Sequence, residues 1–289
     1  MPVSSNLSVR RFAAPLGAEI MGVDASHDID IGTVAAIKDA LDQNLVIVLR
    51  DQKLSGNDLV RFGACLGEIT ESATSPYKLK ENPLVSVLSN ILDENGRNIG
   101  RVDSGEFWHT DGAYFAEPTA YTVLYALEVP YGNGTPLGDT QFVSTADAYD
   151  VLPENMKRRL EGLKAVHKLT RRYEYTAKRK FTEDQQKKNP DRVHPVIRTH
   201  PNTGRKCIYV SVNYTDSIVG MPFKEGRALV DELCAHCIDP RFRRYTHKWQ
   251  VGDLLVWDNC ATLHKATFDY ALPQRRLLYR MTVKGGPFF

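Results

Sequence analysis

No stretch of this 289-residue sequence approaches the roughly 20 consecutive apolar residues that a membrane-spanning helix requires. The first residues also lack the apolar segment of a secretory signal peptide, because Ser4, Ser5, Asn6, Arg10 and Arg11 interrupt it. These two absences predict a cytoplasmic protein without a membrane partner.

An excess of charge of one sign is lacking as well. Lysine and arginine number 37 and aspartate and glutamate number 35, so the net charge is only +2. Such a balance gives no reason to expect nucleic acid as a partner. The basic residues between Arg171 and Lys180 favour a solvated loop or helix face over a polyanion site.

Cysteine is scarce, and the 5 cysteines are an odd number that argues against a disulfide framework. Cys234 and Cys237 form a CxxC motif, but the chain has no second CxxC to complete a zinc site. The motif lies in residues 226–238, which have the pattern of an amphipathic helix. We therefore interpret both thiols as core or helix-surface groups.

The sequence has the composition of an ordinary globular protein, with 42% hydrophobic and 25% charged residues. Apolar residues at helical spacing predict helices over residues 31–43, 55–66 and 144–162. Short apolar runs bounded by turn residues predict strands over 196–200, 207–212, 246–249, 253–257 and 277–284. This pattern predicts a mainly β fold, a sandwich or barrel with flanking helices.

The chain shows no convincing linker, so residues 1–289 are expected to form a single domain. Within it, residues 68–107 form a long polar segment, which predicts an active-site lid. Residues 168–192 are highly charged and are expected to form a mobile, partly helical insertion.

The most informative motif is His109-Thr110-Asp111, followed much later in the chain by His264. In a strand, residues i and i+2 point to the same face, so His109 and Asp111 can reach one metal ion from a single segment. Two imidazoles and one carboxylate are the ligands of non-haem Fe(II) sites with open coordination positions. A bare HxD is also common by chance, and the three residues could be ordinary polar residues at strand ends.

The residues around this motif strengthen its interpretation as an iron site. Phe107-Trp108 precedes it, Gly138-Asp139-Thr140 follows, and Trp257-Asp258-Asn259, Leu263-His264-Lys265-Ala266, Pro273-Gln274-Arg275-Arg276 and Arg280 stand in the C-terminal part. With these motifs the sequence resembles the taurine/alkylsulfonate and 2,4-dichlorophenoxyacetate dioxygenase family (TauD/TfdA) over nearly its whole length. The resemblance implies a double-stranded β-helix, or jelly roll, that uses Fe(II), 2-oxoglutarate and O₂. It also implies a homo-oligomer, a dimer or tetramer.

The resemblance assigns roles to individual residues. His109, Asp111 and His264 are expected to bind iron, and Thr140 and Arg276 to bind the far carboxylate of 2-oxoglutarate. A planar guanidinium suits that carboxylate because it donates two parallel hydrogen bonds. Strand alternation places Arg276 inside with Arg280 and leaves Arg275 outside; the alternative is that Arg276 is a surface residue.

Two further expectations concern the iron site. A carboxylate at position 111 fills the place where a halogenase leaves room for chloride, so Asp111 favours hydroxylation or desaturation. Asp258 and Asn259 are expected to orient the turn that carries His264 rather than to touch iron.

The substrate is less well defined. The family's sulfonate anchors are absent from residues 69–74 and from Gly105, so taurine is expected to be a poor substrate. The expected substrate-binding residues are Arg280, Tyr173, Tyr214, Ser72 and Thr74. Arg280 would bind the anionic end of a small organic substrate, such as a carboxylate or an amino-acid-like metabolite.

Three alternatives stay open at this point. Arg280 could instead support 2-oxoglutarate or a neighbouring Asp. The chain could be a catabolic alkylsulfonate or phenoxyalkanoate dioxygenase. It could also be a jelly-roll binding protein without catalytic activity.

Overall fold

A computed structural model describes residues 7–14, 16–70, 75–171, 182–183, 187, 189–241 and 244–286. Its helices are α1 (Ile31–Asn44), α2 (Gly56–Leu66), α3 (Thr145–Asp150), α4 (Glu154–Leu160) and α5 (Phe223–Cys237). Its first nine strands are β1 (Ser8–Arg11), β2 (Ala18–Met21), β3 (Val46–Leu49), β4 (Ile69–Thr70), β5 (Ser86–Ser89), β6 (Thr119–Glu128), β7 (Tyr131–Gly132), β8 (Thr135–Pro136) and β9 (Thr140–Ser144). The others are β10 (Lys164–His167), β11 (Arg192–Pro195), β12 (Ile197–Thr199), β13 (Lys206–Ile208), β14 (Thr215–Ile218), β15 (Arg244–His247), β16 (Leu254–Asp258), β17 (Thr262–Ala266) and β18 (Leu277–Lys284).

The major sheet has the strand order β1-β2-β3-β16-β6-β18-β4, with β5 also paired to β18. All its pairs are antiparallel except β2 with β3. The central strands β3, β16 and β6 are buried on both faces over most of their length, as expected for strands covered on both sides.

A smaller antiparallel sheet, β15-β9-β17, faces the major sheet. Phe142 and Tyr245 from the smaller sheet pack against Val48, Leu124 and Trp257 from the major sheet in one buried cluster. Two sheets packed face to face over a shared apolar core form the sandwich that the strand pattern predicts. The candidate site lies at one end of this core.

Helices cover the outer faces of both sheets. On the major sheet, Leu41 of α1 and Phe62 of α2 pack against strand residues such as Ile47. On the smaller sheet, Leu229 and Leu233 of α5 pack in one cluster with Val143 and Leu263, among others. Burial of these faces stabilises the helices, because short helices are marginal on their own.

The two N-terminal helices each begin at a side-chain cap. The Asp30 side chain accepts a hydrogen bond from the Thr33 amide (3.0 Å), which fixes the first turn of α1. Ser55 and Asp58 form a reciprocal capping box at the start of α2.

The prediction of one continuous helix over residues 144–162 was wrong. The segment forms α3 and α4, and Pro153 stands at the N-cap of α4. Proline disfavours helical backbone at the residue before it and has no N–H to donate, so the helix cannot continue through this position.

Other expectations from the sequence can be placed on the structure. All five cysteines are free thiols, and Cys234 and Cys237 are buried in α5. No helix in the described ranges is both long enough and apolar enough to span a bilayer. The expected insertion at 168–192 lies mostly outside the described residues.

Candidate active site

His109, Asp111 and His264 converge at the end of the core. Their candidate ligand atoms lie within 4.8 Å of one another, and all three residues are buried. The Nε2 atoms of His109 and His264 each lie 3.7 Å from a carboxylate oxygen of Asp111. Backbone hydrogen bonds of 3.0 and 2.8 Å between the two histidines hold the first motif against β17. His264 therefore lies in a strand paired with β9, not in the expected turn.

The donor set fits a metal ion. Nδ1 of His109 lies 2.7 Å from the Phe107 carbonyl oxygen, which can only accept, so Nδ1 carries the proton. The lone pair on Nε2 is then directed towards Asp111 and His264. Burial, together with His109, lowers the pKa of His264 well below its ordinary value, which favours the neutral imidazole that binds metals. Two imidazoles and one carboxylate at this spacing suit a single Fe(II).

A hydrogen-bond network fixes the Asp111 carboxylate. The Thr122 hydroxyl donates to Oδ2 of Asp111 (2.7 Å), and the side-chain amide of Asn259 donates from Nδ2 to the Thr122 hydroxyl oxygen (2.9 Å). The side-chain oxygen of Asn259, Oδ1, accepts from the Asp111 backbone N–H (3.1 Å) and from the Trp257 indole (3.1 Å). Asn259 therefore orients Asp111, whereas the sequence suggested a role at the turn before His264.

The charge of Asp111 is compensated by a guanidinium. Nη2 of Arg280 lies 2.9 Å from Oδ1 of Asp111, and about 20% of the Arg280 side chain is exposed. Burial by itself would raise the pKa of Asp111, but Arg280, His264 and His109 hold that pKa well below its usual range. Arg280 therefore contacts a neighbouring Asp, as one of the alternatives from the sequence expects.

Arg276 is buried immediately before β18. Its backbone N–H donates to Asn90 (2.8 Å), and its guanidinium donates to the Gly138 carbonyl oxygen (3.3 Å). Among the residues that the structure describes, no carboxylate forms a salt bridge with it. Burial lowers the pKa of this guanidinium below its ordinary value. Its neighbour Arg275 is exposed and pairs with Glu128 through two hydrogen bonds of 2.8 and 2.9 Å.

The candidate iron ligands, Thr140, Arg276 and Arg280 share one cavity. It is lined by Leu88, Ser104, Gly105, His109, Asp111, Leu124, Thr140, Trp257, His264, Ala266, Arg276 and Arg280. Tyr214 is buried beside it, with its ring 6.1 Å from that of His109 and 5.1 Å from that of Tyr114. Tyr173, Ser72 and Thr74 lie outside the described residues.

Sequence reasoning missed several residues of this site. Thr122 lies within the apolar strand β6, and Trp249 lies in the loop after β15, next to Thr140. Asn90 and Tyr114 stand in loops without any motif. Only the folding of distant segments brings these side chains next to the residues of the site, so no local pattern signals them.

A second group of potential ligands, His200, Asp258 and Cys260, is buried outside the cavity. Nδ1 of His200 accepts from the backbone N–H groups of Asn202 (3.3 Å) and Thr203 (3.2 Å), so Nε2 carries the proton that it donates to Asp258 (2.8 Å). A metal ion would bind Nε2 only without that proton. The His200–Asp258 hydrogen bond is therefore a structural contact and not a metal site. The other oxygen of Asp258 accepts from the Cys260 amide (2.6 Å) and shapes the turn before β17.

Comparison with known proteins decides the family. The family model described as "Taurine catabolism dioxygenase TauD, TfdA family" matches residues 8–282. The chain belongs to this family.

The relatives of this chain within the TauD, TfdA family are named as different enzymes. Pentalenolactone F synthase from Streptomyces arenae is 34% identical over 93% of this chain and 92% of its own. Alpha-ketoglutarate-dependent 2,4-dichlorophenoxyacetate dioxygenase from a Burkholderia species (strain RASC) is 31% identical over 87% and 86%. The crystal structure of AAD-2 in complex with Mn(II) and N-oxalylglycine is similar with a TM-score of 0.84 at 25% identity, covering 98% of each chain.

These matches confirm the predicted family and the jelly-roll fold with flanking helices. As a TauD, TfdA family member, the chain is a 2-oxoglutarate-dependent dioxygenase that uses Fe(II), 2-oxoglutarate and O₂. The alternative of a binding protein without catalytic activity is therefore wrong.

The Thr122 contact generates a prediction for this dioxygenase. Thr122→Val keeps the side-chain shape but removes the hydrogen bond to Asp111, so it should weaken Mn(II) or Fe(II) binding by about 10- to 100-fold. Thr122→Ser should retain near-normal affinity. Calorimetric titration of metal-free protein under anaerobic conditions measures this.

Thr282→Val is the matched control. Thr282 is buried and lies directly opposite Thr122 on β18, but its hydroxyl faces the Thr70 carbonyl oxygen (3.4 Å). Equal losses of metal affinity in the two valine variants would show that Thr122 supports the site only by packing within the sheet, and not through its hydrogen bond to Asp111.

Proposed function

We propose that this dioxygenase oxidises a C–H bond of a small anionic organic substrate, by hydroxylation or desaturation, while 2-oxoglutarate is converted to succinate and CO₂. The observation that carries the proposal is the arrangement of the cavity lining. The candidate iron ligands, one buried arginine without a carboxylate partner among the described residues, and a second arginine beside Asp111 face the same space.

In this proposal His109, Asp111 and His264 bind Fe(II). The iron, when bound, supplies the activation of O₂ that couples 2-oxoglutarate decarboxylation to substrate oxidation. The protein fixes the ligands before the metal arrives. Thr122 holds one carboxylate oxygen of Asp111, and the Phe107 carbonyl holds the tautomer of His109.

Arg276 and Thr140 bind the far carboxylate of 2-oxoglutarate. A buried cation is costly without an anion, and Arg276 has no carboxylate within salt-bridge distance in the described part of the chain. A dianionic co-substrate would supply that anion. Thr140 lines the cavity with Arg276 and offers a hydroxyl to the same carboxylate.

Arg280 binds the anionic group of the prime substrate as well as Asp111. A guanidinium has five N–H donors in a planar fork, and its closest contact with Asp111 is made through Nη2. Tyr214 packs beside His109 and shapes the space next to the metal. The cavity also presents Leu88, Leu124 and Ala266, which suit an apolar carbon skeleton.

A phenoxyalkanoate is the second candidate class, because the relative that is 31% identical is named for 2,4-dichlorophenoxyacetate. Such a substrate has a carboxylate for Arg280 and a ring for the apolar lining. Alkylsulfonates are less well supported, because the family's sulfonate anchors have no counterparts here, as the sequence indicated.

Several finer expectations also stay proposals. We propose that residues 1–289 form one domain and that residues 68–107 act as its lid, since Ser104 and Gly105 line the cavity. The homo-oligomer and the cytoplasmic location stay predictions.

A substrate screen tests the substrate class. Iron-loaded protein is supplied with 2-oxoglutarate, O₂ and a panel of carboxylates, amino acids, phenoxyalkanoates, alkylsulfonates including taurine, and matched neutral esters or amides. Succinate formation is measured, and each active compound is checked by mass spectrometry for a gain of oxygen or a loss of two hydrogens. We expect turnover among the carboxylates; preferential turnover of the neutral analogues would contradict the proposed anionic substrate.

The ligand assignment gives a second prediction. His109→Ala, Asp111→Ala and His264→Ala should each abolish iron-dependent succinate formation and lower the bound iron far below one per chain. His27→Ala is the control, because that histidine side chain is 73% exposed and far from the motif in sequence. Near-normal activity in any of the three variants would show that the ligand set is wrong.

The co-substrate assignment gives a third prediction. Arg276→Ala should raise the KM for 2-oxoglutarate by about 30-fold to several thousand-fold, because losing one partner of a buried charge pair costs about 2–5 kcal/mol. Arg275→Ala should be nearly neutral, since it removes only an exposed pair with Glu128. The reverse order of effects would assign the co-substrate to Arg275.

The fourth prediction concerns Arg280. Arg280→Ala should raise the KM of any substrate found in the screen at least tenfold, while decarboxylation of 2-oxoglutarate without substrate stays largely intact. The alternative is that Arg280 serves only Asp111. In that case metal affinity and both activities should fall together, and measuring all three on the same variant separates the two roles.

A further inference from the structure

Trp249 contacts both groups that are proposed to bind 2-oxoglutarate. Its indole Nε1 lies 3.1 Å from the Thr140 hydroxyl oxygen, and the Arg276 guanidinium carbon lies 6.0 Å from the centre of its ring. The side chain is only 1% exposed. A single buried ring thus links the hydroxyl and the cation of the candidate carboxylate site.

The direction of the indole contact determines where the Thr140 proton can go. An indole N–H can only donate, so the Thr140 oxygen accepts from Trp249 and keeps its own proton for another acceptor. No acceptor for that proton lies within hydrogen-bond distance among the described residues. Thr140 lines the cavity, so an oxygen atom of a bound ligand can accept it.

The Trp249 ring is held in place by a buried network. The His247 ring lies edge-on to it, with ring centres 4.5 Å apart. Nε2 of His247 lies 2.9 Å from Asp253, and its Nδ1 lies 2.8 Å from the Tyr245 hydroxyl. Asp253 in turn pairs with Arg50 (2.5 Å). The packed His247 ring restrains the indole, whose N–H is directed at the Thr140 hydroxyl oxygen.

We propose that Trp249 is a positioning residue for the co-substrate, and this rests on the proposed function of Thr140 and Arg276. Its N–H directs the Thr140 proton into the cavity, and its ring flanks the Arg276 guanidinium. Both donors then meet the same carboxylate of 2-oxoglutarate. The selectivity for a 2-oxo acid with a second carboxylate depends on this residue.

Trp249→Phe tests the proposal because it keeps an aromatic ring and removes the N–H. Binding is measured by calorimetry on Mn(II)-loaded protein with 2-oxoglutarate and with 2-oxopentanoate, which lacks the far carboxylate. The Kd for 2-oxoglutarate should rise roughly tenfold, the size of one net hydrogen bond. The Kd for 2-oxopentanoate should stay unchanged. Equal weakening of both acids, or no change in either, would overturn the proposal.

A double-mutant cycle with Thr140→Val separates positioning from general damage. If Trp249 acts through the Thr140 hydroxyl, Trp249→Phe should have little further effect on 2-oxoglutarate affinity in the Thr140→Val background. Additive losses would show that the indole does not act through Thr140. Trp108→Phe is the matched control, because that ring also faces an arginine, Arg244 (5.4 Å), but does not line the cavity.

Arg276→Ala in the same assay separates this inference from the proposed function. If Arg276→Ala weakens both acids equally, the site does not bind the far carboxylate, and both proposals fail. If Arg276→Ala weakens the binding of 2-oxoglutarate alone, whereas Trp249→Phe weakens both acids equally or neither, only the role of Trp249 fails.

Discussion

The buried carboxylate of Asp111 is the group on which the rest of the site depends. A charge removed from water is costly unless it is paired and hydrogen-bonded. Here Arg280 supplies the opposite charge and Thr122 supplies a hydroxyl, each on a different oxygen. Asn259 then connects Thr122 to the backbone of Asp111, so the carboxylate has one orientation in which both histidines flank it.

This arrangement requires strands from both sheets. Thr122 and Arg280 come from neighbouring strands of the major sheet, β6 and β18, whereas Thr140 and His264 come from β9 and β17 of the smaller sheet. The cavity therefore exists only where the two sheets face each other. A shift of one residue in any of these strands would turn its side chain away from the cavity, so the apolar core that fixes the register also fixes the site.

The sequence predicts the parts of this site that follow local rules. The HxD spacing places His109 and Asp111 together, and strand alternation separates Arg276 from the exposed Arg275. The first two helices follow from the helical spacing of apolar residues over 31–43 and 55–66. The break at Pro153 was missed because the apolar spacing continues on both sides of it. Trp249 and Thr122 could not be predicted, because their contacts with Thr140 and Asp111 depend on strand pairing over more than ten residues in sequence.

The two arginines that line the cavity, Arg276 and Arg280, differ in how far their charge is compensated within the protein. Arg276 stands just before β18 and Arg280 lies within it, and both side chains line the same cavity. Arg280 already has Asp111 within 2.9 Å, whereas Arg276 has no salt bridge in the described ranges. The less compensated cation is thus the one next to Thr140 and Trp249. A diacid whose far carboxylate reaches Arg276, as proposed above, would complement this asymmetry, and a monoacid would not.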